Sequence, residues 1–196
     1  MTSIEIKNLQ TKLEAIPHKR ATLLIGIDGC GGSGKSTLAK ILACILSNVT
    51  IVEMDDFYLP SLLHKGKKFN PEQIGSTYDW HRLKNQVLDR LFQNQNAKYQ
   101  RYDWNADRLA EWHTVPFGGV VIVEGVYSTR TELANFYDFR IWVECPREVR
   151  LARGIARDGE EARDRWEREW MPMEDSYVEN HKPRENADYV VNGNVE

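Results

Sequence analysis

Gly29-Cys-Gly-Gly-Ser-Gly34-Lys35-Ser36 fits the spacing G-x-x-x-x-G-K-[ST]. The chemistry open to such a run is the binding of phosphate. Glycines let backbone N–H groups turn inward as an anion nest, because only glycine takes those dihedrals cheaply. A helix starting directly behind them adds its positive end. Lys35 would reach the β- and γ-phosphates of a nucleoside triphosphate, and the Ser36 hydroxyl would ligate Mg²⁺. The candidate nucleotide contacts are therefore Gly29, Gly31, Gly32, Ser33, Gly34, Lys35, Ser36 and Thr37. The competing reading is a flexible glycine turn that holds nothing. Cys30 either gains reactivity from the helix N-terminus or fills a small slot, and the slot is the simpler role.

Other groups could act on a bound triphosphate. Asp55 and Asp56 close an apolar run, and a carboxylate at the C-terminal edge of a strand faces the crevice where open α/β sheets bind ligands. There Asp55 can accept a proton and help to hold a metal. Asp is also a common turn residue, which is the plainer account of the pair. Glu124 ends the most apolar run of the chain, where a charge must be paired, metal-linked or solvated. Arg150, Arg153 and Arg157 fall at i, i+3 and i+7 and share a helix face. Guanidinium groups suit a transferring phosphate through forked hydrogen bonds. A solvated face paired with Glu160, Glu161 and Asp164 is the alternative. Tyr78, Trp80, Tyr102 and Trp104 could wall a ring or sugar, or simply pack.

These residues need elements to hold them. Residues 4–16 carry Ile4, Leu9, Leu13 and Ile16 among charges and predict a helix ended by Pro17. Residues 21–27 predict a buried strand, followed by the glycine loop and a helix with Leu38, Ile41, Leu42, Ile45 and Leu46 inward. Residues 49–54 predict a second strand. Residues 57–75 read as a long functional loop with a Lys65, Lys67 and Lys68 cluster. Leu83, Val87, Leu88 and Leu91 mark a helix to residue 92. Strands follow at 120–123 and 139–143, with Pro146 as first residue of a helix running to about Asp158. A further helix carries Trp166, Trp170, Met173 and Tyr177 on one seam, expected to pack, and residues 189–191 close as a short strand. Strands separated by helices give an α/β fold with a mainly parallel sheet.

Composition narrows the functions. The net charge of −3, from 26 basic and 29 acidic residues, argues against bulk binding of nucleic acid. Three cysteines without C-x-x-C spacing read as reduced thiols, and no apolar run is long enough to span a bilayer. A cytoplasmic protein is expected, with no nucleic-acid or membrane partner and a possible homo-oligomer. An N-K-x-D guanine-reading motif is missing, which disfavours a GTPase.

Taken together in order and spacing, the pieces resemble the uridine kinase-like branch of P-loop kinases, which includes phosphoribulokinase and one class of pantothenate kinase. They are the loop at 28–37, Met54-Asp-Asp-Phe-Tyr58, Val120-Val-Ile-Val-Glu-Gly125, Phe139-Arg-Ile-Trp-Val143, the helix 149–158, and Asn186-Ala-Asp-Tyr-Val-Val191. The resemblance implies a three-layer P-loop NTPase fold: five strands, mainly parallel, and a helical lid. The length of 196 residues predicts one domain over 1–196, with the helix 4–16, a core at 21–158, and a lid and C-terminal segment at 159–196. The resemblance implies ATP and Mg²⁺, transfer of the γ-phosphate to an alcohol, Asp55 as catalytic base, and metal contacts from Ser36, Asp55 and Glu124. Lid arginines follow in the same way: Arg153 in catalysis, Arg150 and Arg157 on the nucleotide. One lid arginine of the family pattern is replaced by Gly154.

The acceptor segments depart from that pattern. Tyr102-Asp-Trp-Asn-Ala-Asp-Arg108 is one residue short and lacks its histidine, His113 lying beyond the arginine. Asp79 is the counterpart of the ribose-gripping aspartate, and a carboxylate there could hold a vicinal diol. The expected acceptor contacts are Asp79, Tyr102, Arg108 and Glu124. A nucleoside such as uridine or cytidine is the expected acceptor. A pantothenate- or sugar-phosphate-like alcohol, a silent ATP-binding regulator and, from Ile27-Asp28-Gly29, a nucleoside monophosphate kinase are the alternatives.

Overall fold

A computed structural model describes residues 1–17, 19–64 and 74–194. Five strands form one sheet: β1 (Thr22–Asp28), β2 (Val49–Glu53), β5 (Gly119–Glu124), β6 (Phe139–Glu144) and β7 (Tyr189–Asn192). Their order is β2-β5-β1-β6-β7 and every adjacent pair is parallel. A parallel strand in the centre of such a sheet is covered on both faces, so it reads as an unbroken apolar run. β1 is buried along its whole length. Side chains alternate between the faces. Leu23, Ile25 and Ile27 meet the helices α1 (Ser3–Glu14) and α2 (Lys35–Ile45) through Leu9, Leu13, Leu38 and Leu42. Leu24 joins Val121, Val123 and Leu83, Val87, Leu88 and Leu91 on the opposite face. This is the expected three-layer α/β arrangement.

The ends of the helices follow from their caps. α1 opens on a capping box in which Glu5 N–H donates to the Thr2 hydroxyl and the Thr2 amide to the Glu5 carboxylate. Ile4, one of the apolar positions that marked this helix, is 73 % exposed. The short helix α3 (Ser61–His64) lies in the predicted loop, whose lysines 65, 67 and 68 fall outside the described residues. The helix expected from Leu83 starts earlier, because the Asp79 carboxylate accepts from the Arg82 amide at 3.0 Å. It runs as α4 (Trp80–Leu83), a π-helical stretch Lys84–Leu88 and α5 (Asp89–Phe92).

An antiparallel hairpin, β3 (Ala97–Asp103) with β4 (Arg108–Val115), was not expected from sequence. A register shift between Gln100 and Tyr102 breaks the two-residue alternation that would have revealed it. Pro146 stands immediately before α6 (Arg147–Asp158) rather than as its first residue. α7 (Arg163–Arg165), a π-helical stretch Trp166–Trp170 and α8 (Met171–His181) complete the helical lid. No helix among the described residues is long and apolar enough to cross a membrane.

Candidate active site

The glycine loop leaves β1 and enters α2 as the sequence requires. Gly32 and Gly34 take φ of +75° and +100°, a region costly for any residue with a Cβ. At Gly32 the loop also lies against the Arg150 backbone, whose carbonyl would stand 2.6 Å from an added Cβ. Lys35 is 8 % exposed and its Nζ donates to the Cys30 carbonyl at 3.1 Å. Asp28, just before the loop, is fully buried. It accepts from the Gly29 amide, the Thr129 amide and hydroxyl, and the Tyr177 hydroxyl at 2.6–2.9 Å. Burial pushes the Asp28 carboxyl up, and those four donors oppose it. The network ties loop, sheet and lid together.

A cavity of about 910 Å³ opens between the loop, the C-terminal edges of β2 and β5, and the lid. Gly31, Gly32, Gly34, Lys35, Ser36 and Thr37 line it, as do Arg153 and Arg157 from α6. Glu124 also lines the cavity and is only 5 % exposed. Burial raises its carboxyl, while Lys35 and the Ser36 hydroxyl draw it down. The Asp doublet divides: Asp55 faces the cavity, whereas Asp56 turns into the core and accepts from the Tyr99 hydroxyl at 2.8 Å. Glu53, which sequence reasoning passed over, also lines the cavity. Its signal was the same as that of Glu124, an acid ending an apolar strand.

A hydroxyl and carboxylates are hard oxygen donors suited to Mg²⁺, which keeps several waters and leans on substrate phosphates. Ser36, Asp55 and Glu124 offer that donor type in the lining of the one cavity. Among the described residues no three acidic, His or Cys side chains stand preassembled as a complete metal cage.

The three arginines separate. Arg153 bridges the Gly32 and Gly193 carbonyls at 3.2 and 3.0 Å, and Arg157 is held by the adjacent Asp158 carboxylate at 2.6 and 2.9 Å. Arg150 does not reach the cavity. It is buried, donating to Glu174 at 2.9 Å and to the Cys145 carbonyl at 3.3 Å. Glu174 in turn accepts from the Gly31 amide at 2.8 Å. The surface pairing expected for these arginines does not occur either: Glu160 pairs with Arg163 and Asp164 with Arg168. Gly154 has a packing cause, since a Cβ there would fall inside the Trp166 indole. In the predicted seam Trp166 and Tyr177 are buried, while Trp170 and Met173 also line the cavity.

Three expected acceptor contacts stand elsewhere. Asp79 caps α4, the Tyr102 hydroxyl donates to Asp107 at 2.6 Å behind the Tyr58 ring, and Arg108 is exposed on the hairpin. None of them lines the cavity. The cavity is lined instead by Thr77 and by Tyr58, Tyr78, Trp104 and Tyr127, whose rings form one contiguous wall. Tyr127 takes a φ of +70°, and its ring covers Gly75, leaving 3.1 Å to an added Cβ. Its only sequence signal was an aromatic residue two positions past Gly125.

The model of the Phosphoribulokinase / Uridine kinase family matches residues 24–168. The chain belongs to that family. The kinase is 31% identical over 187 residues to the uridine kinase of Mycoplasma pneumoniae, covering 86% of this chain and 84% of that one. It is 26% identical to the nicotinamide riboside kinase of Saccharomyces cerevisiae, over 90% of this chain and 82% of the other. Among solved structures it is similar to a possible uridine kinase from Bacillus stearothermophilus. The TM-score there is 0.76 at 26% identity, with 95% of this chain and 97% of that one covered. An ATP-dependent kinase of the P-loop fold is thus what the chain is.

Proposed function

We propose that the kinase moves the γ-phosphate of ATP to a ribose hydroxyl of a nucleoside such as uridine or cytidine, with Mg²⁺ bound by Ser36, Asp55 and Glu124. The observation that carries this reading is Asp55, which lines one cavity together with Lys35, Ser36 and the rings of Tyr58, Tyr78, Trp104 and Tyr127. Lys35 and the loop amides hold the phosphates. When bound, the metal neutralises charge on the phosphate oxygens. Asp55 takes the proton of the acceptor hydroxyl as its oxygen attacks phosphorus, and ADP departs. Arg153 and Arg157 stabilise the charge that develops on the transferred group.

A second reading is a pyridinium nucleoside such as nicotinamide riboside. Tyr102 and Arg108, expected as acceptor contacts, do not line the cavity, while Glu53 and Asp55 line it with Tyr58, Tyr78, Trp104 and Tyr127. Aromatic faces and carboxylates attract a cationic ring. A coupled ADP assay with Mg²⁺ separates the two. Its acceptors are uridine, cytidine, adenosine, nicotinamide riboside, pantothenate and ribulose 5-phosphate, with Lys35→Ala and Asp55→Asn beside the parent. One nucleoside should stimulate turnover by about tenfold or more, and both variants should abolish it. Stimulation only by pantothenate or ribulose 5-phosphate would overturn the nucleoside reading. Tight ATP binding with no stimulation by any acceptor would favour a regulator.

A further inference from the structure

Asp55 belongs to a short 3-10 turn, Met54–Phe57, at the end of β2, and its side chain is exposed to the cavity. A carboxylate in that position could swing freely and present either oxygen to an acceptor. One contact removes the freedom: the Tyr78 hydroxyl donates to Asp55 Oδ1 at 3.2 Å. We propose that Tyr78 is a positioning residue of the transfer, fixing Asp55 so that Oδ2 faces the acceptor hydroxyl. The inference rests on Asp55 being the proton acceptor proposed above.

The chain around Tyr78 is built to give the phenol little slack. Tyr58 and Tyr78 form an antiparallel bridge, closed by Leu59 N–H to the Thr77 carbonyl at 2.8 Å and Asp79 N–H to the Phe57 carbonyl at 2.7 Å. Tyr78 N–H donates to the Gly75 carbonyl at 3.0 Å on one side, and Asp79 caps α4 on the other. The ring is held edge-on by Tyr58 at 5.1 Å and tilted against Tyr127 at 5.4 Å. The opposite flank of the turn is tied as well, since the Arg82 guanidinium donates to the Asp56 carbonyl at 2.8 Å. A base held in one orientation reacts from a near-attack geometry, and displacement by about 1 Å can cost on the order of a hundredfold in rate.

Tyr78 also forms part of the aromatic wall, so the test must separate ring from hydroxyl. Tyr78→Phe keeps the ring and deletes only the donor. Steady-state rates would be measured with whichever of uridine, cytidine, adenosine or nicotinamide riboside turns over fastest, and ATP binding by tryptophan fluorescence. The expected result is a fall in kcat of about ten- to hundredfold. The KM of the acceptor and the Kd of ATP should stay within about twofold of the parent. Any residual turnover of Asp55→Asn should not fall further when Tyr78→Phe is added, because the phenol acts only through that carboxylate. A parental kcat in Tyr78→Phe, with Asp55→Asn inert, would overturn the inference and leave the base assignment standing. A raised KM at parental kcat would reduce Tyr78 to a wall. Normal turnover by Asp55→Asn would remove the base assignment and this inference with it.

Discussion

Replacing Glu174 by alanine should unfold the kinase at a clearly lower temperature. Glu174 and Arg150 side chains are 6 % and 8 % exposed, with 2.9 Å between Oε2 and Nη1. The substitution leaves a buried guanidinium that still donates to the Cys145 carbonyl at 3.3 Å. It also takes the acceptor from the Gly31 amide. Removing one partner of a buried ion pair typically costs about 3–5 kcal/mol. The lost amide bond, about 1–3 kcal/mol alone, overlaps with that figure and does not add to it. For a chain of this size each kcal/mol moves Tm by roughly 2–4 °C, so the expected loss is about 6–20 °C. Thermal melts followed by intrinsic fluorescence measure it. The double variant Arg150→Met/Glu174→Leu removes both charges and should recover most of the loss, because buried pairs are often replaceable by apolar groups. A single variant melting within about 3 °C of the parent would refute the reasoning. Arg150 would then be free to turn toward the phosphates.

Three further outcomes follow from other contacts. Gly154→Ala should destabilise by about 1–3 kcal/mol through overpacking against Trp166 and raise the KM for ATP, measured by melts and steady-state rates. Iodoacetamide at about pH 8 should label exposed Cys44 in the folded protein and spare Cys145 and Cys30, whose thiol burial pushes up to about 12; peptide mass mapping reads this out. The Arg130 guanidinium pulls Glu132 from 4.5 down to about 2. A depressed carboxyl stabilises the fold above its unfolded value and loses that contribution as pH falls through the folded one. Glu132→Gln should therefore be less stable than the parent above about pH 4.5, by ~1 kcal/mol or less for so exposed a carboxylate. The difference should close toward pH 2, as urea unfolding across pH would show.

The sequence disclosed what depends on neighbours along the chain and hid what depends on neighbours in space. The five strands of the sheet were legible because each is an apolar run bounded by glycine or charge. The phosphate loop was legible because its function fixes both residue type and spacing. The hairpin was not, since the bulge after Gln100 hides the alternation of Ala97, Tyr99 and Tyr102. The three arginines show the limit most clearly. Helical spacing puts them on one face, yet that face straddles the cavity rim. Arg153 and Arg157 open inward, while Arg150 meets a carboxylate 24 positions away that no local pattern links to it. Gly154 looked like altered lid chemistry, and a tryptophan twelve residues on accounts for it.

The acceptor wall carries the same lesson into chemistry. Of four aromatic residues read as possible walls, Tyr78 and Trp104 line the cavity. Tyr102 backs Tyr58, and Trp80 packs beneath Arg130. The wall is assembled from the turn after β2, the segment before α4, the hairpin tip and the loop after β5, so no stretch of sequence displays it. Glu53 and Asp55 line the same cavity as Lys35, Arg153 and Arg157. Asp158 is the larger cause of the raised Arg157 guanidinium, and Asp55 lies close enough to raise it as well. A phosphorylated acceptor would place a second anion in that cavity. Two unit charges about 5 Å apart repel by roughly 3 kcal/mol at an effective dielectric of about 20, more than a hundredfold in affinity. An acceptor phosphate held beside Glu53 and Asp55 would meet that repulsion, and one held beside Arg157 would escape it.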